Sequence, residues 1–385
     1  MARRLYLFRP VMTLLLLASS TMAEHTASEP SGSPDDLESK WYEACDSSGE
    51  KIISVEEGML SHGSVTFKGA ACTNKDRITF QINGKHQAPD YTVMGSCDAW
   101  ITFQDVNSVS ISGIGILDAN GKSLWACKKS GGGDHCPEGA TSLSILNSKD
   151  VEIEGITLLN SQKFHMAIVG TTTAMIQGVT ITADGESPNT DGIHVESSSA
   201  VNITHSNVGT GDDCVSIGPR TNGVTIRNLT CGPGHGVSIG SLGREDNEGR
   251  VENILVEYVQ FTETQNGARI KAVARPEADA VVNQVVFQHL TMTDVTNPVL
   301  IDQYYCPDHQ KCPQGDSGVK IGNVKFVDIR GSSKSEFAVN LNCSALSKCS
   351  NITVSDVELT YNRGKPRASC NNLVGNPCDS VFPSN

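Results

Sequence analysis

The residues best suited to chemistry in this chain are three aspartates and a histidine at nearly equal intervals. Asp191 lies in "SPNTDGIH". Asp212 and Asp213, adjacent in "GTGDDCVSIG", follow 21 and 22 residues later, and His235 in "GPGHGVSIG" comes 22 residues after Asp213. A lone Asp-Asp pair is ordinarily turn chemistry or a solvated face. Three carboxylates brought together behave differently. Like charges raise one another's pKa, so one member keeps a proton that an ordinary carboxyl has lost. That is equipment for general acid–base catalysis. Further on, "NGARIK" carries Arg269 and Lys271, whose i, i+2 spacing on a strand puts both on one side with Ile270 on the other. Tyr305 follows in "DQYYC". Glycines flank Asp213 and His235, which would let a bulky ligand approach the backbone closely.

Residues so far apart meet only if the chain returns at a fixed period, and a repeat supplies that period. The pattern apolar-x-apolar-x-x-apolar-x-apolar occurs as "VSISGIGI" from Val109, "VEIEGITL" from Val151, "AMIQGVTI" from Ala174, "VNITHSNV" from Val201 and "VTIRNLTC" from Val224. It continues as "ILVEYVQF" from Ile254, "VVFQHLTM" from Val285, "VKFVDIRG" from Val324 and "ITVSDVELT" from Ile352. Alternation within each unit predicts strands, and the two-residue gap predicts a turn. So short a unit cannot bury its own apolar side, but stacked units can. Helical periodicity is missing from these units, and few NG or DG hairpin turns separate them, which disfavours an antiparallel sandwich. The prediction is an all-β, single-domain parallel β-helix with one coil per unit. Strands one coil apart lie about 4.8 Å from each other. Asp191, Asp212, Asp213 and His235 should therefore line one face, with Arg269 and Lys271 beside them.

Composition agrees. The 385 residues include 36 glycines and only 5% aromatics, as suits many short strands and turns. Residues 1–23 carry Arg3, Arg4 and Arg9, a short apolar stretch and small residues near Ala23, the pattern of a signal peptide too short to span a membrane. Removing those three arginines, with no acid lost, takes the formal net charge from −13 to −16. So acidic a protein is a poor partner for nucleic acid. Residues 24–40, polar and rich in Pro and Ser, predict a flexible lead-in, which leaves 41–385 as the catalytic domain. Thirteen cysteines and four sequons, at Asn202, Asn228, Asn342 and Asn351, fit secretion. Close spacing suggests the pairs Cys127/Cys136, Cys214/Cys231, Cys306/Cys312, Cys343/Cys349 and Cys370/Cys378. Cys45 and Cys72 could form a sixth, and Cys97 is left over. No CxxC pair supports zinc.

"SPNTDGIH", "GTGDDCVSIG", "CGPGHGVSIGSLG", "NGARIK" and "DQYYC", in this order, resemble the polygalacturonases, glycoside hydrolases of pectin built on a right-handed parallel β-helix. The resemblance is to plant members and runs from about residue 41 to the end, supported by "ITFQINGKHQAP" and "LLNSQKFH". The chain departs from it where "SGSPDDL" replaces a strand and a "GDGxxDD" segment, which predicts an incomplete first coil. The resemblance implies hydrolysis of polygalacturonate with inversion, by a secreted monomer that needs no cofactor and no metal. Asp212 would be the general acid, and Asp191 and Asp213 would hold and deprotonate the water. Asn189 would help fix the Asp191 turn, and His235 would tune the acid. Arg269 and Lys271 would bind a sugar carboxylate, Tyr305 would add a hydroxyl or a stacking face, and His165 could reach a neighbouring subsite. Two alternatives stay open: a β-helix lyase using calcium and a basic residue, and a pectin-binding module without catalysis.

Overall fold

The computed structural model describes residues 34–382 except 96, 132–135, 307–311 and 376. The signal peptide read over 1–23 and the lead-in up to residue 33 lie outside the described residues. The remainder of the lead-in is helical. Helix α1 spans Pro34–Asp46, and its buried residues Leu37, Trp41, Ala44 and Cys45 recur at the i, i+4, i+7, i+8 spacing of one helical face. Ordered structure therefore begins before residue 41, and α1 covers the end where an incomplete first coil was expected. The α1 face lies on the first strands, with Trp41 5.8 Å from the Phe80 ring and 6.1 Å from the Phe67 ring. Cys45–Cys72 staples the helix to the coil below.

The strands stack into a 17-stranded and an 11-stranded sheet, and successive coils pair in parallel. The first residues of all nine repeat units form one unbroken row: Val109, Val151, Ala174, Val201, Val224, Ile254, Val285, Val324 and Ile352 pair each with the next. The first and third positions face inward and are buried throughout. The fifth position carries the chain round a corner with positive φ in every unit, from Gly113 (126°) and Gly155 (75°) to His205 (50°), Asn228 (55°) and Asp356 (53°). The gap in the pattern is thus a left-handed residue, not a hairpin. The core between the sheets is filled by these aliphatic rows and by mutually tilted rings such as Phe67, Phe80 and Phe103. Fully burying one such aliphatic side chain stabilises by about 1.5–3 kcal/mol, so each coil depends on its neighbours to cover it.

Two further coils precede Val109 that the repeat did not reveal, at Lys51–Val55 and Ile78–Ile82. All six expected disulfides are closed, and Cys97 is the free cysteine among the described residues.

Candidate active site

The site is built on the 11-stranded sheet. Its strands Ile193–Glu196, Val215–Ile217, Val237–Leu242 and Asn266–Ala272 pair so that Ile193, Val215, Val237 and Ala268 form an inward row. Counting back two residues from that row gives Asp191, Asp213 and His235 at equivalent places, where the chain enters each strand. The ladder continues through them, with Gly192 N–H donating to the Asp213 carbonyl and Cys214 N–H to that of Gly236, both at 2.8 Å. One residue after the inward row come His194, Ser216, Ser238 and Arg269, which alternation turns outward.

Asp213 is 1% exposed, yet it is not sealed in the core. It lies beneath the outward residues. Its Oδ1 accepts from Arg269 (2.6 Å) and Ser238 (2.7 Å), and its Oδ2 accepts from Lys271 Nζ (2.8 Å). Burial alone would raise this carboxyl, but the two cations outweigh it and hold Asp213 at about 2. Arg269 also donates through Nε to Ser238 at 2.8 Å. Arg269 and Lys271, expected to await a sugar carboxylate, are therefore already engaged. The Tyr305 ring sits against both, 5.8 Å from the Arg269 guanidinium carbon and 5.2 Å from Lys271 Nζ.

Asp191 has the opposite environment. Among the described residues no cation is in direct contact with it, and burial, then the charges of Asp212 and Asp213, raise its carboxyl to about 8. Its turn is held by Ser187 and Thr190, whose hydroxyls lie 2.7 Å apart, and Gly211 N–H donates to Thr190 Oγ1 at 3.1 Å. Asn189 gives this turn a left-handed residue (φ 54°) and lines the cleft. His165 is fully buried behind it. Its Nδ1 lies 3.2 Å from the Thr190 and Asp191 carbonyls, and its Nε2 accepts from Ser161 N–H at 3.2 Å. Burial lowers it to about 4, so it is neutral and structural, and it is not exposed to any subsite.

Asp212 is half-buried between its neighbours. Its Oδ1 accepts from Asp213 N–H (2.8 Å) and lies 3.0 Å from His235 Nδ1, while His235 N–H donates to its carbonyl (2.8 Å). The donor atoms of Asp212, Asp213 and His235 fall within 4.8 Å of one another. Asp213 has already given both oxygens to Arg269 and Lys271, which leaves little charge to hold a metal ion.

The glycines serve coil packing, not the approach of a ligand. A Cβ on Gly211 would stand 2.0 Å from the Ser187 carbonyl oxygen, and one on Gly236 would stand 2.1 Å from that of Asn266. The space for a ligand is instead an open cleft of about 600 Å³, lined by Asn189, Asp191, Asp212, Ser216, Lys271 and Tyr305. At one end Phe164 stacks on His194 (4.9 Å), near Lys163, which pairs with Glu138 at 2.5 Å. Arg244 lines the cleft too. Motif reading missed Ser216 and Ser238. The signal was available, since "VSIG" occurs twice one coil apart and the two serines pair in register.

Residues 45–379 match the family described as glycosyl hydrolases family 28. The chain belongs to this family. A polygalacturonase of Prunus persica is 46% identical over 347 residues, covering 90% of this chain and 87% of its own length. An exopolygalacturonase of Platanus acerifolia is 39% identical over 335 residues, 86% and 88% respectively. Among solved structures, the endo-xylogalacturonan hydrolase from Aspergillus tubingensis superposes with a TM-score of 0.73 at 22% identity, covering 91% of this chain and 93% of that one. The fold is the right-handed parallel β-helix and the protein is a glycoside hydrolase, so the lyase alternative falls away.

Proposed function

We propose that this protein hydrolyses the α-1,4 bonds between galacturonate units of unesterified pectin, by direct attack of water with inversion. The observation that carries the reading is the divergence of two carboxyls one coil apart, Asp213 at about 2 and Asp191 at about 8, beside Asp212 at an open cleft. Inverting hydrolysis needs one protonated carboxyl for the leaving oxygen and one ionised carboxylate for the water. Asp213 is fixed as an anion by Arg269 and Lys271. With Asp191 raised to about 8, the cluster keeps a proton at neutral pH. In the reaction Asp212, at the cleft, is assigned as the acid and Asp191 as the base. Asp213 has three of its acceptor sites in use, so it acts from beneath the cleft, holding Arg269, Lys271 and Ser238 in place under the other two acids. His235 Nδ1, 3.0 Å from Asp212 Oδ1, steadies that carboxyl. Lys271 and Tyr305, at the cleft wall, would meet the sugar ring and its carboxylate, and Asn189 would contact a neighbouring unit.

The disulfides fit an oxidising compartment. We take the protein to be a secreted, monomeric enzyme of the plant cell wall, in keeping with the relatives named polygalacturonase and exopolygalacturonase. The decisive variant is Asp212→Asn, nearly identical in shape. It is expected to melt as the wild type does while its release of reducing ends from polygalacturonate falls by about 10²–10⁴-fold. Full activity in that variant would remove the acid assignment.

A further inference from the structure

The two cations nearest the acids give their charge to Asp213, which raises the question of what meets the next carboxylate along the substrate. Arg244 lines the cleft and is exposed, and among the described residues its side chain makes no hydrogen bond or ion pair. The other arginines around it are engaged. Arg275 pairs with Asp246, Arg250 with Glu252, and Arg220 donates to the Asn247 carbonyl at 3.2 Å. An unpaired guanidinium stands out in a chain with 43 acidic and 30 basic residues.

Its mount is rigid. Arg244 sits on the turn after Val237–Leu242, one coil beyond Asp212, on the Lys271 side. The turn closes around Glu248, which is 5% exposed. The Glu248 carboxylate accepts three consecutive backbone N–H groups, from Gly243 (2.5 Å), Arg244 (2.8 Å) and Glu245 (3.0 Å). Arg275 and Arg220 tie down the outer side of the same turn. A charged side chain on a loop ordered beforehand loses little entropy when it binds. Arginine matches a carboxylate with two parallel hydrogen bonds.

We propose that Arg244 is a binding residue for a substrate carboxylate at a subsite on the Lys271 side of the acids, and that Glu248 is its positioning residue. The inference rests on the polygalacturonate reading and deepens it. It gives the enzyme a reason to distinguish charged from esterified sugar one position away from the bond cut. At the opposite end of the cleft, Lys163 is paired with the Glu138 carboxylate and Lys128 Nζ donates to the Glu138 carbonyl at 2.7 Å, so both cations there already have partners.

The test is steady-state kinetics of the full-length protein on polygalacturonate and on the same polymer methyl-esterified to a high degree. On polygalacturonate, Arg244→Ala is expected to raise KM about tenfold, the value of one lost charged hydrogen bond, with kcat changed by less than about twofold. On the esterified polymer the difference from wild type should largely vanish. Arg244→Lys should fall between the two. Glu248→Gln keeps the shape but sets an NH2 against at least one of the three N–H groups, so it should raise KM on polygalacturonate in the same direction, with some loss of melting temperature, and leave kcat nearly unchanged. A wild type that releases no reducing ends from polygalacturonate sinks the functional reading. An active wild type whose KM is unmoved by Arg244→Ala, or equally moved on both polymers, sinks this inference alone.

Discussion

Asp191 and Asp213 sit one coil apart and are driven to opposite ends of the carboxylate range, and this has a measurable consequence for stability. Asp213 is at about 2 folded against an ordinary 3.8, so the stability it lends is present above 3.8 and is lost as pH falls through about 2. Asp191 has the reverse sign. At about 8 folded, the native chain keeps a proton that the unfolded chain releases, so its contribution is complete below 3.8 and is lost as pH rises through about 8. At neutral pH Asp191 therefore weighs against the fold. Asp191→Asn, which cannot ionise, is expected to be more stable than wild type at pH 7, seen as a raised melting temperature. The difference should shrink to nothing below about pH 4, and hydrolysis should be lost. Thermal melts of both proteins from pH 3 to pH 8 give the comparison; an Asp191→Asn variant no more stable at pH 7 would refute the strained carboxyl. That these acids would meet was legible in the sequence because their spacing equals one coil. The engagement of Arg269 and Lys271 by Asp213 was not, because it depends on which way three side chains lean above one sheet.

The corner residue is the element on which every coil turns. In nine consecutive units the fifth position has positive φ, and only the first three, Gly113, Gly155 and Gly178, are glycine. Later units use His205, Asn228, Tyr258, His289, Asp328 and Asp356, whose side chains interact along the outside: Tyr258 stacks on His289 at 4.7 Å, and His289 lies 2.7 Å from Asp328. Gly178 offers a clean test, since an added Cβ there would meet nothing within 4 Å and only the backbone would object. Gly178→Val is expected to cost about 1–2 kcal/mol in a urea melt, and Gly178→Asn clearly less. Equal costs would mean the corner is not what limits substitution. The repeat was readable because aliphatic residues hold its inward positions. It failed at Ile78–Ile82 because Asn83 and Lys85 fall where the pattern asks for apolar residues. Beside them His86 occupies the column that continues as Leu117, Leu158, Ile181 and Val208. His86 is fully buried and burial lowers its pKa, so it is neutral there, with Nε2 2.8 Å from the Asn83 carbonyl. A satisfied polar residue in an apolar column hides a coil from any hydrophobic pattern.

At the scale of the molecule, a stack of coils has two ends, and each must be closed or it will pair with another chain. The C-terminal strand Arg367–Asn371 is followed by a short helical turn, Pro377–Ser380, drawn in by Cys370–Cys378. The N-terminal end is closed by α1, whose apolar stripe was hidden within a Pro- and Ser-rich stretch. Trp41 is the centre of that closure: it packs against Phe67 and Phe80, and its Nε1 donates to the Lys68 carbonyl at 2.9 Å. Trp41→Ala is expected to cost about 3–5 kcal/mol. In a solenoid each coil depends on its nearest neighbours, so the loss should stay local. Hydrogen exchange should quicken first in 51–55 and 78–82, while strands around Asp191 and Asp213 keep their protection. Hydrolysis per folded molecule should be unchanged at low temperature, with aggregation rising on warming as the first sheet edge opens. If protection were instead lost together from the first coil through Val215–Ile217, the molecule would unfold as one unit, and α1 would be holding the catalytic coils as well as the end.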